Sequence, residues 1–215
     1  MSNILTKFKE LYTQKITLPD GGEIEISQIN IDFQDKLLRK VKKADGDVHA
    51  VLLYILHISN YMSDKTKKDL TYKDKLYVLQ HWRNNIVDKP TDHDLNSSIL
   101  ESEPYKAKIG TADVEIGFKL PQLKYELDLL QYLNKRKEPA ETDLIFYDTF
   151  RFINYLKIGA TTYNIDDITN NDLHELFLLF DPNMLTPLAE HISTNLQDLN
   201  NMRIYEADYS NFLDV

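Results

Sequence analysis

The sequence predicts an α+β protein, mainly helical with two short antiparallel β-hairpins. Three observations predict it. Residues 16–26, ITLPDGGEIEI, and residues 106–120 alternate apolar and polar positions around glycine-bearing turns, the period of two that strands require. Most of the remaining chain repeats its apolar residues near every 3.6 positions, as amphipathic helices do. A hydrophobic content of 42%, with 13 Tyr and 9 Phe in 215 residues, is enough to bury a core.

The elements follow in order. Ile4, Leu5, Phe8, Leu11 and Tyr12 fall at helical spacing, predicting a short helix over 4–14. In the first hairpin Ile16 and Leu18 alternate on one strand and Ile24 and Ile26 on the other, with Gly21 and Gly22 supplying the turn. Asn30 or Asp32 caps a basic helix that ends before Ala44-Asp45-Gly46-Asp47. Residues 48–62 are apolar on more than one face and predict a buried central helix. Thr71-Tyr72-Lys73-Asp74 has the form of a capping box for a helix through Ile86 that carries the single tryptophan, Trp82.

Residues 91–104 are polar, closed by Pro104, and read as a linker. A second hairpin turns at Gly110-Thr111, with Val114, Ile116, Phe118 and Leu120 in strict alternation. Pro121 fits the first turn of a helix stacking Leu123, Leu127, Leu130 and Leu133. Further helices are expected over 143–157, 172–180 and 184–196, the second capped by Thr169 with Asp172 and the third preceded by Asp181-Pro182. The organisation expected is thus a mildly basic 1–90, a linker-like 91–104 and an acidic 105–215, able to pack as one domain.

Charge divides these halves. Residues 1–90 hold 15 Lys+Arg against 12 Asp+Glu, and residues 91–215 hold 10 against 22, for a net charge of −9. An acidic half repels phosphate backbones, so nucleic-acid binding would have to rest on the first half. Its densest basic segment places Lys36, Arg39, Lys40 and Lys43 on one helical face and Phe33, Leu37, Leu38 and Val41 on another. Such a face is ordinarily only solvated; the sharper reading is a docking surface for an acidic protein, another copy's second half included. The first hairpin, with Leu18, Pro19, Ile24 and Ile26, offers an edge strand for strand addition by a neighbour.

The chain has no Cys, which removes disulfides, thiolate metal sites and a Cys nucleophile. Its N-terminus lacks the apolar core of a signal peptide, and no stretch approaches the roughly 18 apolar residues of a membrane span, so a soluble, non-exported protein is expected. His49 and His57 lie eight apart, too far for one metal without a third ligand brought by folding. Asp92-His93-Asp94 lacks the glycine turn and terminal carboxylate of a calcium loop, and His174-Glu175 lacks the second histidine of a zinc protease helix. No nucleophile elbow, phosphate-cradling loop or dinucleotide glycine pattern is present. The expectation is a protein that is not an enzyme and uses no metal or cofactor.

Ile16 through Ile26, running into the Lys/Leu-rich stretch to Lys43, resembles the opening of the baseplate hub subunit family of T-even-type contractile-tailed bacteriophages, a leucine-proline-small-glycine hairpin leading into a charged helix. Tyr77 to Arg83 is similar to the family's segment ending in an aromatic and an arginine. Ile109 to Pro121 resembles its second hairpin, closed by Lys-x-Pro, and Asp172 to Pro182 its acidic-aromatic helix before a proline. Asp208 to Leu213 resembles its aromatic ending, although Phe212-Leu213 stands where paired aromatics would be expected and the region after Pro182 lacks the family's Gly-containing turn. The resemblance implies a structural component or assembly factor of the baseplate hub, with other hub or tail proteins or a second copy as partners and no membrane. It would reside in the host cytoplasm during assembly and in the virion tail. A regulator binding nucleic acid or a host protein through residues 32–43 is the alternative.

Overall fold

The computed structural model describes residues 13–27, 70–85, 103–135 and 141–195, together with positions 7, 11, 31, 35, 39 and 95. The expected helices over 32–43 (apart from positions 35 and 39) and 48–62, the Asp92-His93-Asp94 stretch and the C-terminal aromatic ending lie outside them. Two compact units divide the chain: Met1–Asn96 with Gln122–Lys124 and Tyr205–Val215, and Ser97–Pro121 with Tyr125–Ile204.

In the first unit β1 (Thr13–Thr17) pairs antiparallel with β2 (Glu23–Ser27), Ile16 opposite Ile24 and Gln14 opposite Ile26. Lys7 and Leu11 are helical, but the strand begins at Thr13, earlier than the alternation from Ile16 indicated. Of the two turn glycines only Gly21 takes the left-handed backbone, at φ 87°; Gly22 donates its N–H to Asp20 Oδ1 instead. Helix α1 (Tyr72–Asn84) starts at the expected capping box, where Asp74 N–H donates to Thr71 Oγ1 and Thr71 N–H donates to Asp74 Oδ2. It buries Tyr72, Leu76, Leu79 and Trp82, and on the hairpin Ile16, Leu18 and Ile26 are buried as well. Lys75, 1% exposed, places its ammonium 4.3 Å from the Tyr72 ring, which offsets part of its desolvation. The return segment is fixed by Leu123 N–H donating to the Leu70 carbonyl.

His81, on α1, meets the Gln14 side chain, and burial holds its imidazole below the ordinary value. Protonating it therefore costs more in the folded unit than in the unfolded chain. That contribution is complete above about pH 6.5, the free imidazole value, and is lost as the pH falls through the lower folded value. Urea midpoints at about pH 7.5 and about pH 5.5 should differ less for His81→Gln than for the wild type; equal differences would remove His81 from the account.

The second unit is built on a four-stranded antiparallel meander in the order β3 (Tyr105–Ile109), β4 (Ala112–Phe118), β5 (Ile153–Ile158), β6 (Thr161–Asn164). Around it lie α2 (Leu123–Asn134), whose first residues belong to the other unit, α3 (Glu141–Phe150), a 3-10 turn (Ile165–Asp167), α4 (Asn170–Leu178) and α5 (Pro182–Asn195). This corrects the mainly helical expectation: with five helices and two sheets, of two and four strands, the described residues are 51% helix and 28% strand, a mixed α+β fold. The helix expected over 143–157 ends at Phe150, and Ile153–Ile158 is a strand that continues through a turn at Gly159-Ala160 into β6. What overrides the local helical pattern is pairing with β4, where Ile116 faces Leu156 and Glu115 faces Lys157.

The sheet's inner face buries Val114, Ile116 and Leu156. On the outer face the Tyr155 ring occupies the space a Cβ on Gly117 would need, and its hydroxyl donates to Glu115 Oε1 at 2.9 Å. The expected Leu123, Leu127, Leu130 and Leu133 stripe is buried throughout. Thr169 caps α4 by accepting from Asp172 N–H at 3.2 Å. At the β3 edge, His191 of α5 packs edge-on against Tyr105 and donates to the Glu103 carbonyl.

Candidate interaction surfaces

The residues singled out in the sequence separate into three sets. Leu18 and Ile26 are buried at 7% and 0% exposure and Ile24 is half-buried, so these side chains serve the first unit's own core; Pro19 at the turn is exposed. Strand addition at this hairpin would draw on backbone hydrogen bonds and the exposed Pro19 rather than on the Leu18 and Ile26 side chains. Arg39 is exposed and donates through Nε to Asp35 at 2.8 Å, one helical turn away, an exposed pair of small energetic weight. That bond raises the guanidinium's affinity for its proton, and Asp35 shares the face with it. Lys36, Lys40 and Lys43 lie outside the described residues.

In the second unit the buried ionisable groups are matched to one another. Arg151 Nη1 donates to Glu126 Oε1 at 3.0 Å, with side chains 4% and 0% exposed. The Tyr147 hydroxyl reaches the same carboxylate at 3.3 Å, Arg151 Nη2 donates to Asp148, and the guanidinium stacks over the Tyr147 and Phe152 rings. His174, which the sequence left without a role, is buried on α4 with Nε2 3.0 Å from Asp143 Oδ1 of α3 and its ring edge-on to Phe146. Both pairs are buried and flanked by aromatic rings. Tyr125 is also drawn inward, and burial, with the Asp166 charge second, raises its phenol far above the ordinary value.

A shallow depression of about 230 Å³ on the outer sheet face is lined by Lys106, Asp113, Glu115, Lys157 and Gly159. Charges alternate in sign from strand to strand there, Lys106 facing Glu115 and Glu115 facing Lys157, so no field of one sign converges on a ligand. Among the described residues no group of three or more His, Asp or Glu side chains is placed to hold a metal ion, and no helix is long and apolar enough to cross a membrane.

What sequence reading missed is an apolar corner at the C-terminal end of α4. Leu178 and Leu179 are 57% and 77% exposed, while Leu173, His174 and Phe177 of the same helix are buried. The signal was partial: Leu179 falls opposite the buried Leu173, His174 and Phe177 stripe, whereas Leu178, one turn beyond His174, continues that stripe and its exposure could not be read from spacing. No family model matches the chain, and neither a curated protein nor a solved structure matches it.

Proposed function

We propose that the chain is a non-enzymatic bacteriophage tail protein of the baseplate-hub kind, a structural component or assembly factor that works through protein–protein contacts. The observation that carries this reading is how the side chains are spent. In the second unit buried acids and bases pair with each other, Glu126 with Arg151 and Asp143 with His174, while large apolar side chains stand in solvent at Leu178 and Leu179. The motif resemblance supplies the class of partner, hub and tail proteins, and with it a location in the host cytoplasm during assembly.

Deleting the gene from the phage that carries it should leave incomplete baseplates in lysates, and tagged chain should co-purify with hub and tail proteins. Normal baseplates in the deletion lysate overturn the proposal. Replacing Lys36, Arg39, Lys40 and Lys43 with Glu tests the basic segment: failed complementation with intact circular dichroism fits a protein partner. Binding to duplex DNA that is lost in this variant and falls steeply with salt, with normal baseplates, points instead to the nucleic-acid reading.

A further inference from the structure

From Ile158 to Met202 the chain contains no Lys or Arg but seven acids, Asp166, Asp167, Asp172, Glu175, Asp181, Glu190 and Asp198. The structure places the exposed leucine pair within this stretch. Leu178 lies three residues beyond the exposed Glu175 on α4, and Asp181, also exposed, follows Leu179 by two. The nearby carboxylates are tied to neutral groups: Asp172 to Thr169, Glu175 to the Asn171 amide, Asp181 to Asn183. Their charge is thus left uncompensated by these bonds, and the corner combines an apolar centre with an acidic rim.

A surface of that composition fits a segment that is apolar and basic together. The chain itself contains one. Residues 36–43, KLLRKVKK, carry five Lys or Arg with Leu37, Leu38 and Val41; Asp35, just before them, pairs with Arg39, so the excess positive charge rests on Lys36, Lys40, Lys42 and Lys43. We infer that the α4–α5 corner, centred on Leu178 and Leu179 with Glu175 and Asp181 at its rim, docks the 36–43 segment of a second copy of this chain. The two copies contribute different surfaces, so the contact either closes reciprocally as a twofold dimer or extends head to tail into a ring or filament. The leucines supply the apolar area that sets residence time, and the opposed charges set encounter rate and register. This inference does not rest on the function proposed above, because it concerns the purified chain alone.

Sedimentation velocity of the full chain across a concentration series, at low and high salt, tests it. The expected result is a sedimentation coefficient that rises with concentration and falls back as salt is added. Leu178→Ser with Leu179→Ser should weaken association by about tenfold, as loss of a central apolar contact does. Lys36→Glu with Arg39→Glu, Lys40→Glu and Lys43→Glu should weaken it similarly, and so should Glu175→Lys with Asp181→Lys. Both charge-reversed sets combined in one chain should restore association, since the complement is regained with its signs exchanged. Circular dichroism verifies that each variant is folded. A wild-type chain that stays monomeric at every concentration overturns the inference, leaving the corner to a different protein or to the chain's own basic segment. So does association that the leucine and charge variants leave unchanged.

Discussion

Glu126→Leu should destabilise the second unit by about 3 kcal/mol or more, because it strands the buried Arg151 guanidinium. Glu126 is 0% exposed, and its Oε1 accepts from both Arg151 Nη1 and the Tyr147 hydroxyl. Water does not reach this site to replace the lost acceptor. Asp148 still holds Nη2 from the rim, so the charge is not wholly abandoned, which keeps the cost toward the lower end of the usual range for a broken buried pair. The double variant Glu126→Leu, Arg151→Met should recover much of the loss, since an apolar pair of similar volume removes both desolvation penalties together. Glu126→Gln should cost less than Glu126→Leu, as the amide oxygen still accepts while only the charge is gone. Urea unfolding of the wild type, Glu126→Leu, Arg151→Met and the double variant forms a double-mutant cycle. Strictly additive losses would mean that Arg151 and Glu126 do not act as a unit.

The pair also marks the limit of what the sequence made legible. The first hairpin, the capping box at Thr71, the N-cap at Thr169, the turn at Gly110-Thr111 and the leucine stripe of α2 are all decided by neighbours within a few residues, and each was readable from spacing alone. The second half of the sheet was not. Residues 150–158, FRFINYLKI, satisfy a helical and a strand pattern equally well over so short a run. The choice is made by β4, more than 30 residues earlier in the chain, whose Gly117 leaves room for the Tyr155 ring and whose Ile116 pairs with Leu156. Glu126 with Arg151, and Asp143 with His174, are likewise separated by 25 and 31 residues. No local rule joins them. The surfaces fared the same way: charge segregation is a property of composition and was visible, whereas burial of Leu18 and Ile26 and exposure of Leu178 and Leu179 depend on which face the fold turns inward.

Phe150→Ala should cost about 3–5 kcal/mol, the range for truncating a fully buried aromatic side chain. Phe150 is 0% exposed at the end of α3, where its ring lies 5.0 Å from Phe146, 5.5 Å from Phe177 in an edge-to-face arrangement and 5.7 Å from Phe180. Removing it loses the transfer free energy of the ring and leaves a void that three rigid aromatic neighbours cannot fill without leaving their rotamers. The edge-to-face pairing adds about 0.5–1.5 kcal/mol beyond buried area. Phe150→Leu keeps most of the volume and should cost clearly less, because it forfeits ring geometry but opens only a small gap. Phe177 and Phe180 bracket Leu178 and Leu179, so the same cluster anchors the apolar corner from inside while the leucines face out. Thermal or urea unfolding of the Ala and Leu variants measures the difference. If the two lose equal stability, the cluster relaxes around the missing atoms, and the corner rests on the backbone of α4 and its Thr169 cap rather than on these rings.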